Sequence, residues 1–135
     1  MNNYDLSILM CENYDINTQS IHRIYNNIVA NTSHIRCTIV ILGNYEESEL
    51  HNFTVLLRNI DKDKEISLFS FTLPPREDSL HFSNNKNDYN YIIYAYKIDE
   101  LPIIGTGNYE LLLYKDNHLD SELPIICKYP ISIIN

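Results

Sequence analysis

Apolar and polar residues alternate with period two along most of this chain, the spacing at which successive side chains leave opposite faces of an extended strand. Ile35, Cys37, Ile39 and Ile41 fall on one side and Arg36 and Thr38 on the other, which predicts a strand over 35–42 with one core face. Phe53, Val55 and Leu57 against Asn52, Thr54 and Arg58 predict the next. A third, over 66–73, follows across Asp61-Lys62-Asp63-Lys64, a short polar link between β-branched and aromatic runs that predicts a hairpin. Pro74-Pro75 ends it, because proline donates nothing to a ladder.

From 74 to 88 the chain is polar and broken, and Asn84-Asn85-Lys86-Asn87-Asp88 marks a long loop. Residues 89–98 are apolar or aromatic on both faces, the composition expected of a central strand. Residues 107–115 predict a strand with Tyr109, Leu111 and Leu113 on one face, and Asp116-Asn117 turns it into a last run over 123–134. Pro124 and Pro130 interrupt that run, so it is expected at an edge or at a change of sheet, where it is the leading candidate for self-association. Residues 6–11 predict a first strand. Between 18 and 29 two patterns compete: Ile21, Ile24 and Ile28 fit a helical stripe behind a Thr18 or Ser20 cap, while Ile21, Arg23 and Tyr25 fit a strand. The expectation is a short strand followed by a loop over 30–34, with a helix left open.

Seven or eight short strands without alternating helices predict one all-β domain over 1–135, an antiparallel Greek-key β-sandwich. Gly107-Asn108-Tyr109-Glu110-Leu111 resembles the tyrosine corner of immunoglobulin-like domains. On that comparison Gly107 makes the corner, Tyr109 returns its hydroxyl to the backbone upstream, and Leu111 stands where antibody domains carry their second cysteine. The chain has no tryptophan and no paired cysteines of that kind, which excludes an antibody-type core. The segment 91–123, with Tyr91-Ile92-Ile93-Tyr94-Ala95-Tyr96 and Gly105-Thr106-Gly107-Asn108-Tyr109, is similar to the C-terminal half of a family of short, uncharacterised bacterial β-sandwich proteins, a domain of unknown function. The pairing of 35–42 with 53–61 is similar to that family's middle strands. The resemblance implies a fold and brings no catalytic residue with it.

Composition narrows the function classes. Ten Lys+Arg against 18 Asp+Glu give a formal charge of −8, which repels a phosphate backbone, so no nucleic-acid partner is expected. The start Met1-Asn2-Asn3-Tyr4-Asp5 has no basic region or long apolar run, and the expectation is a cytoplasmic protein without a transmembrane segment. Cys11, Cys37 and Cys127 are odd in number and flanked by apolar residues, as buried thiols in a reducing compartment are.

Chemistry-bearing groups are scattered. His22, His34, His51, His81 and His118 form no pair at metal-ligand spacing. There is no nucleophile elbow, and Gly105-Thr106-Gly107 opens onto a strand instead of a helix, so it lacks the dipole of a phosphate loop. No cofactor and no enzymatic activity are expected. Asp61, Asp63, Asp88, Asp116, Asn117 and Asp120 have the oxygen chemistry of a calcium site in a C2-type sandwich, but lysines lie among them and turns select the same residues. Glu46-Glu47-Ser48-Glu49 is a solvated turn or a docking patch for a basic partner. Tyr89, Tyr91, Tyr94 and Tyr96 alternate as two pairs, and whichever pair leaves the core presents an aromatic strip of the kind enriched at protein interfaces. The function expected is therefore contact with a protein partner or a second copy. A ligand- or calcium-binding module stands second, and an acidic inhibitor of a basic protein last.

Overall fold

A computed structural model describes residues 4–29, 35–45, 51–73, 91–102, 105–115 and 125–134. Nine strands and no helix are found among them, so no helix is long and apolar enough to cross a membrane. In chain order they are β1 (Tyr4–Asp15), β2 (Ser20–Ile24), β3 (Asn27–Val29), β4 (Cys37–Tyr45), β5 (His51–Asn59), β6 (Lys64–Leu73), β7 (Tyr91–Ile98), β8 (Gly107–Lys115) and β9 (Ile125–Ile134). They form a four-stranded sheet in the order β2-β1-β4-β7 and a five-stranded sheet in the order β3-β9-β8-β5-β6.

The alternation of apolar residues becomes the core. Leu6, Ile8 and Met10 of β1, Cys37, Ile39 and Ile41 of β4, and Ile92 and Ile98 of β7 meet Phe53, Val55 and Leu57 of β5, Phe69 and Phe71 of β6, and Tyr109, Leu111 and Leu113 of β8. Each such side chain, taken fully out of water, contributes about 1.5–3 kcal/mol. Two register shifts interrupt the five-stranded sheet, at Val55/Leu56 against β6 and at Leu113/Tyr114 against β9. Both are bulge-like irregularities of the kind that bend a strand.

The ambiguous stretch is extended. β2 forms a hairpin with β1, and three residues later the chain has changed sheets, where β3 runs parallel to β9 with Val29 opposite Ile134. This pairing is parallel; the other pairings are antiparallel, as expected of the sandwich. Two strand placements differ from expectation. β7, expected in the middle, is terminal in its sheet among the described residues. β9, expected at an edge, lies between β8 and β3, although β3 covers only Ser132 to Ile134 and leaves the preceding residues open on that side.

One glycine is dictated by crowding. At Gly43 φ is +140°, and a Cβ there would stand 2.0 Å from the Asp5 carbonyl oxygen of the neighbouring β1. Only a residue without Cβ lets β1 and β4 pair through this point.

Candidate functional site

The two long sides of the sandwich are closed by different means. On the side of β6 and β7, aromatic rings close the seam. Tyr94 stacks on Phe71 at a centroid distance of 4.6 Å and Tyr96 on Phe69 at 4.0 Å, with Phe53 stacked on Phe71 at 5.3 Å. Such pairs add about 0.5–1.5 kcal/mol each beyond their buried area. Tyr94 and Tyr96 pair in register with Ile41 and Ile39 of β4, whose side chains are in the core, so this tyrosine pair faces inward. Burial raises the Tyr94 hydroxyl pKa, and Tyr96 beside it adds to the effect. Tyr96 keeps 39% of its surface exposed. Tyr91 opens β7, its side chain outside the described residues, as is the whole of Tyr89.

On the side of β2 and β3 the chain itself closes the gap. The β1–β2 turn is shaped by Asp15, whose Oδ1 accepts from the amides of Asn17 at 2.9 Å and Thr18 at 3.3 Å, and Gln19 completes it with φ +55°. Arg23 then takes φ +58° inside β2. A non-glycine residue in this region costs on the order of 1 kcal/mol and bends the strand. Tyr25 N donates to Met10 O at 2.9 Å and Ser132 N to Asn26 O at 3.2 Å, so successive residues are tied to opposite sheets. The Tyr129 hydroxyl donates to Tyr25 O and holds the same crossing.

The crossing borders an open cleft of about 440 Å³ lined by Arg23 to Val29 and Ile35. Ile28 and Ile35 are buried, whereas Ile24 and Val29 are 53% and 49% exposed. Ile134, the register partner of Val29, is 44% exposed. Beside them Arg23 Nη1 lies 3.5 Å from Glu12 Oε2, with both side chains more than half exposed. Tyr25 has a raised pKa, chiefly from burial and then from the Glu12 charge.

At the far end of the five-stranded sheet, the Asp61 turn wraps the glycine-rich corner. Asp61 Oδ2 accepts from Asn108 N at 3.0 Å, and Ile60 N donates to Asn108 O at 2.9 Å. A Cβ on Gly107 would lie 2.7 Å from that carboxylate oxygen. The anion that this turn holds is thus the chain's own Asp61. Tyr109 Oη donates to Gly105 O at 2.8 Å, and Tyr109 and Leu111 are buried. Asp63 is 3.0 Å from Arg58, which also lies 3.8 Å from Glu110. Asp88, Asp116, Asn117 and Asp120, and the Glu46 to Glu49 cluster, lie outside the described residues.

Among the described residues no three His, Cys, Asp or Glu side chains gather as a metal site. His22 is exposed on β2; His34, His81, His118 and the side chain of His51 lie outside the described residues. The three cysteines are free thiols. Burial pushes Cys37 up to about 12, helped by Cys11 nearby, and Cys127 up to about 12. Cys11 is raised by burial too, against a smaller opposing effect of its hydrogen bond to Asn13 O. These are poor nucleophiles.

Sequence patterning singled out the tyrosines, the corner and the last run that ends in Ile134 as surfaces or structure of interest, but not Ile24 and Val29. Its signal was present in part, since Ile24 breaks the alternation of Ile21, Arg23 and Tyr25, and an aliphatic off the strand's pattern is one that the core does not take. No protein-family model and no curated protein matches this sequence.

Proposed function

We propose that this chain is a non-catalytic β-sandwich module that acts through contact with another protein, by its surface or an edge strand. The observation that carries this is the side formed by β2 and β3, where Ile24, Val29 and Ile134 keep about half of their surface in water. Ile24 and Val29 rim the open cleft and Val29 emerges beside Ile134, and exposed aliphatic side chains of this kind are what contact sites bury. β3 has one strand neighbour among the described residues, so its free edge is suited to strand addition.

The calcium or ligand reading is weakened by what the Asp61 turn already does. The Asp61 carboxylate is taken by the Asn108 amide and Asp63 by Arg58. An acidic inhibitor needs a continuous stripe of carboxylates, and Arg58 stands between Asp63 and Glu110.

An immunoglobulin-like Greek key belongs to the same proposal. It is supported by the chain's changes of sheet at β4–β5, β6–β7 and β7–β8, by β3 running parallel to the last strand, and by the Tyr109 hydroxyl returned to Gly105 O at the start of β8. So does membership of the short bacterial β-sandwich family in a reducing, cytoplasmic setting, which the free buried thiols favour.

The test is a photo-crosslinking amino acid placed at Val29, and in a second protein at Thr72 on the far edge, each expressed in the source cell. Covalent protein adducts from position 29 and none from position 72 are expected. A silent position 29 refutes the assignment of contact to this side.

A further inference from the structure

In a chain with formal charge −8, the side of β2 and β3 carries exposed aliphatic residues beside a charged pair of both signs. Val29 and Ile134 are register partners on neighbouring strands, so their side chains emerge together, and Ile24 and Val29 share the rim of one cleft. The charged pair beside them has one member of each sign, Arg23 and Glu12, 75% and 53% exposed. At 3.5 Å and in water, such a pair is weakly held and free to exchange partners.

We propose that a second copy of this chain seats on this side, β3 meeting the partner's β3 across a two-fold axis. The proposal rests on the contact reading above and names the occupant. A two-fold contact places a surface against itself, so it requires a self-complementary one. Most acidic faces fail that requirement, because 18 acids against 10 bases repel their own image. This side meets it twice. Its aliphatic residues match themselves, and Arg23 of one copy faces the partner's Glu12 while Glu12 faces the partner's Arg23.

The backbone agrees with this arrangement. A two-fold axis normal to the sheet makes the two β3 strands antiparallel, the direction in which short strands pair without a connection between them. The five-stranded sheet then continues as ten strands through the pair β3·β3, using the side of each β3 that has no strand neighbour among the described residues. Three residues make few ladder bonds, so the contact is a modest one, with Kd on the order of 10 μM.

Sedimentation velocity and light scattering of the full chain from about 1 μM to about 1 mM bracket that value. The mass is expected to rise from 15.9 kDa toward twice that. Val29→Asp and Ile134→Asp, both at exposed positions, should each raise Kd at least about tenfold, and Ser67→Asp on the distant β6 should leave it unchanged. Circular dichroism of each variant establishes that it is folded. Arg23→Glu and Glu12→Arg should each weaken the dimer alone, and an equimolar mixture of the two should restore it, since every cross-contact then joins opposite charges again. A purely intrachain role for the pair gives no rescue on mixing.

A mass fixed at 15.9 kDa over the whole range overturns the second copy, as does a dimer indifferent to Val29→Asp and Ile134→Asp. The broader proposal fails separately. If position 29 crosslinks to a different protein while the purified chain stays monomeric, the contact site stands and the second copy falls; if it crosslinks to nothing, both fall.

Discussion

Replacing Tyr109 by phenylalanine removes one oxygen from the corner and leaves the packing in place. The ring is 2% exposed and sits in the core with Leu111 and Leu113, so Tyr109→Phe creates no cavity. What it deletes is the 2.8 Å hydrogen bond from Tyr109 Oη to Gly105 O. A neutral hydrogen bond of this kind contributes about 0.5–1.5 kcal/mol net, and the upper part of a deletion's cost arises when the abandoned partner stays buried. Gly105 is exposed, so its carbonyl regains water and the expected loss is about 1 kcal/mol. For a domain of this size that lowers Tm by about 3–5 °C. Urea unfolding followed by circular dichroism measures it, with the midpoint lowered and the slope unchanged, because the exposed area on unfolding is the same. Tyr109→Leu is the companion variant, expected to cost about 3 kcal/mol or more because it also loses ring volume. A Tyr109→Phe protein within about 0.3 kcal/mol of the parent refutes the claim that this bond holds the corner. A loss approaching that of Tyr109→Leu refutes the claim that the carbonyl is rehydrated.

Further outcomes can be checked on the same protein. Gly43→Ala forces a Cβ to within 2.0 Å of the Asp5 carbonyl oxygen, a backbone atom that cannot step aside, and is expected to cost at least about 3 kcal/mol by urea unfolding or to prevent folding. Asp61→Ala leaves the Asn108 amide without its acceptor and should cost about 0.5–1.5 kcal/mol, read from the same unfolding curves. Cys37 and Cys127 should resist a thiol reagent at pH 8 in the native protein and react at once in urea. Their pKa values are raised on folding, from 9.0 to about 12, so the folded state favours the neutral thiol. That contribution is complete below pH 9.0 and is lost as the pH climbs toward 12, giving an alkaline loss of stability that Cys37→Ala and Cys127→Ala diminish. A pH profile flat across that window contradicts the burial of these thiols.

The strands were legible because their core-facing positions recur with period two. β4, β5 and β8 carry Ile, Val, Leu and Phe at every second position, and these same residues form the core. β7 misled for a physical reason. Its inward positions hold tyrosines that close a seam at the sheet's end, so an edge strand acquired the two-sided apolar look of a central one. β3 escaped notice because three residues are too few for a period, and its pairing with β9 depends on a partner more than a hundred positions away in sequence. The Asp61 to Asn108 bond is of the same kind, a turn selected by local chemistry whose second task is set by distant chain.

The two sides of the sandwich solve one problem unequally, and the difference bears on the contact site proposed above. Among the described residues each sheet ends in strands with one neighbour, and large side chains or crossing chain must separate these edges from water. At β6 and β7, stacked rings consume the aromatic surface, since Phe69 and Phe71 are nearly buried and Tyr94 is half-buried against them. At β2 and β3 backbone hydrogen bonds to Met10 O and Asn26 O, and one from the Tyr129 hydroxyl to Tyr25 O, hold the chain in place, so closure there does not call on Ile24, Val29 or Ile134. Ile24, Val29 and Ile134 are therefore surplus to the fold: replacing any of them by a polar residue removes little from the core. Aliphatic residues that the fold does not require, exposed beside a strand with one neighbour among the described residues, are what the proposed contact would cover. That makes polar substitution at these three positions the sharpest separation of contact from stability, because it should weaken association while leaving the urea midpoint close to where it was.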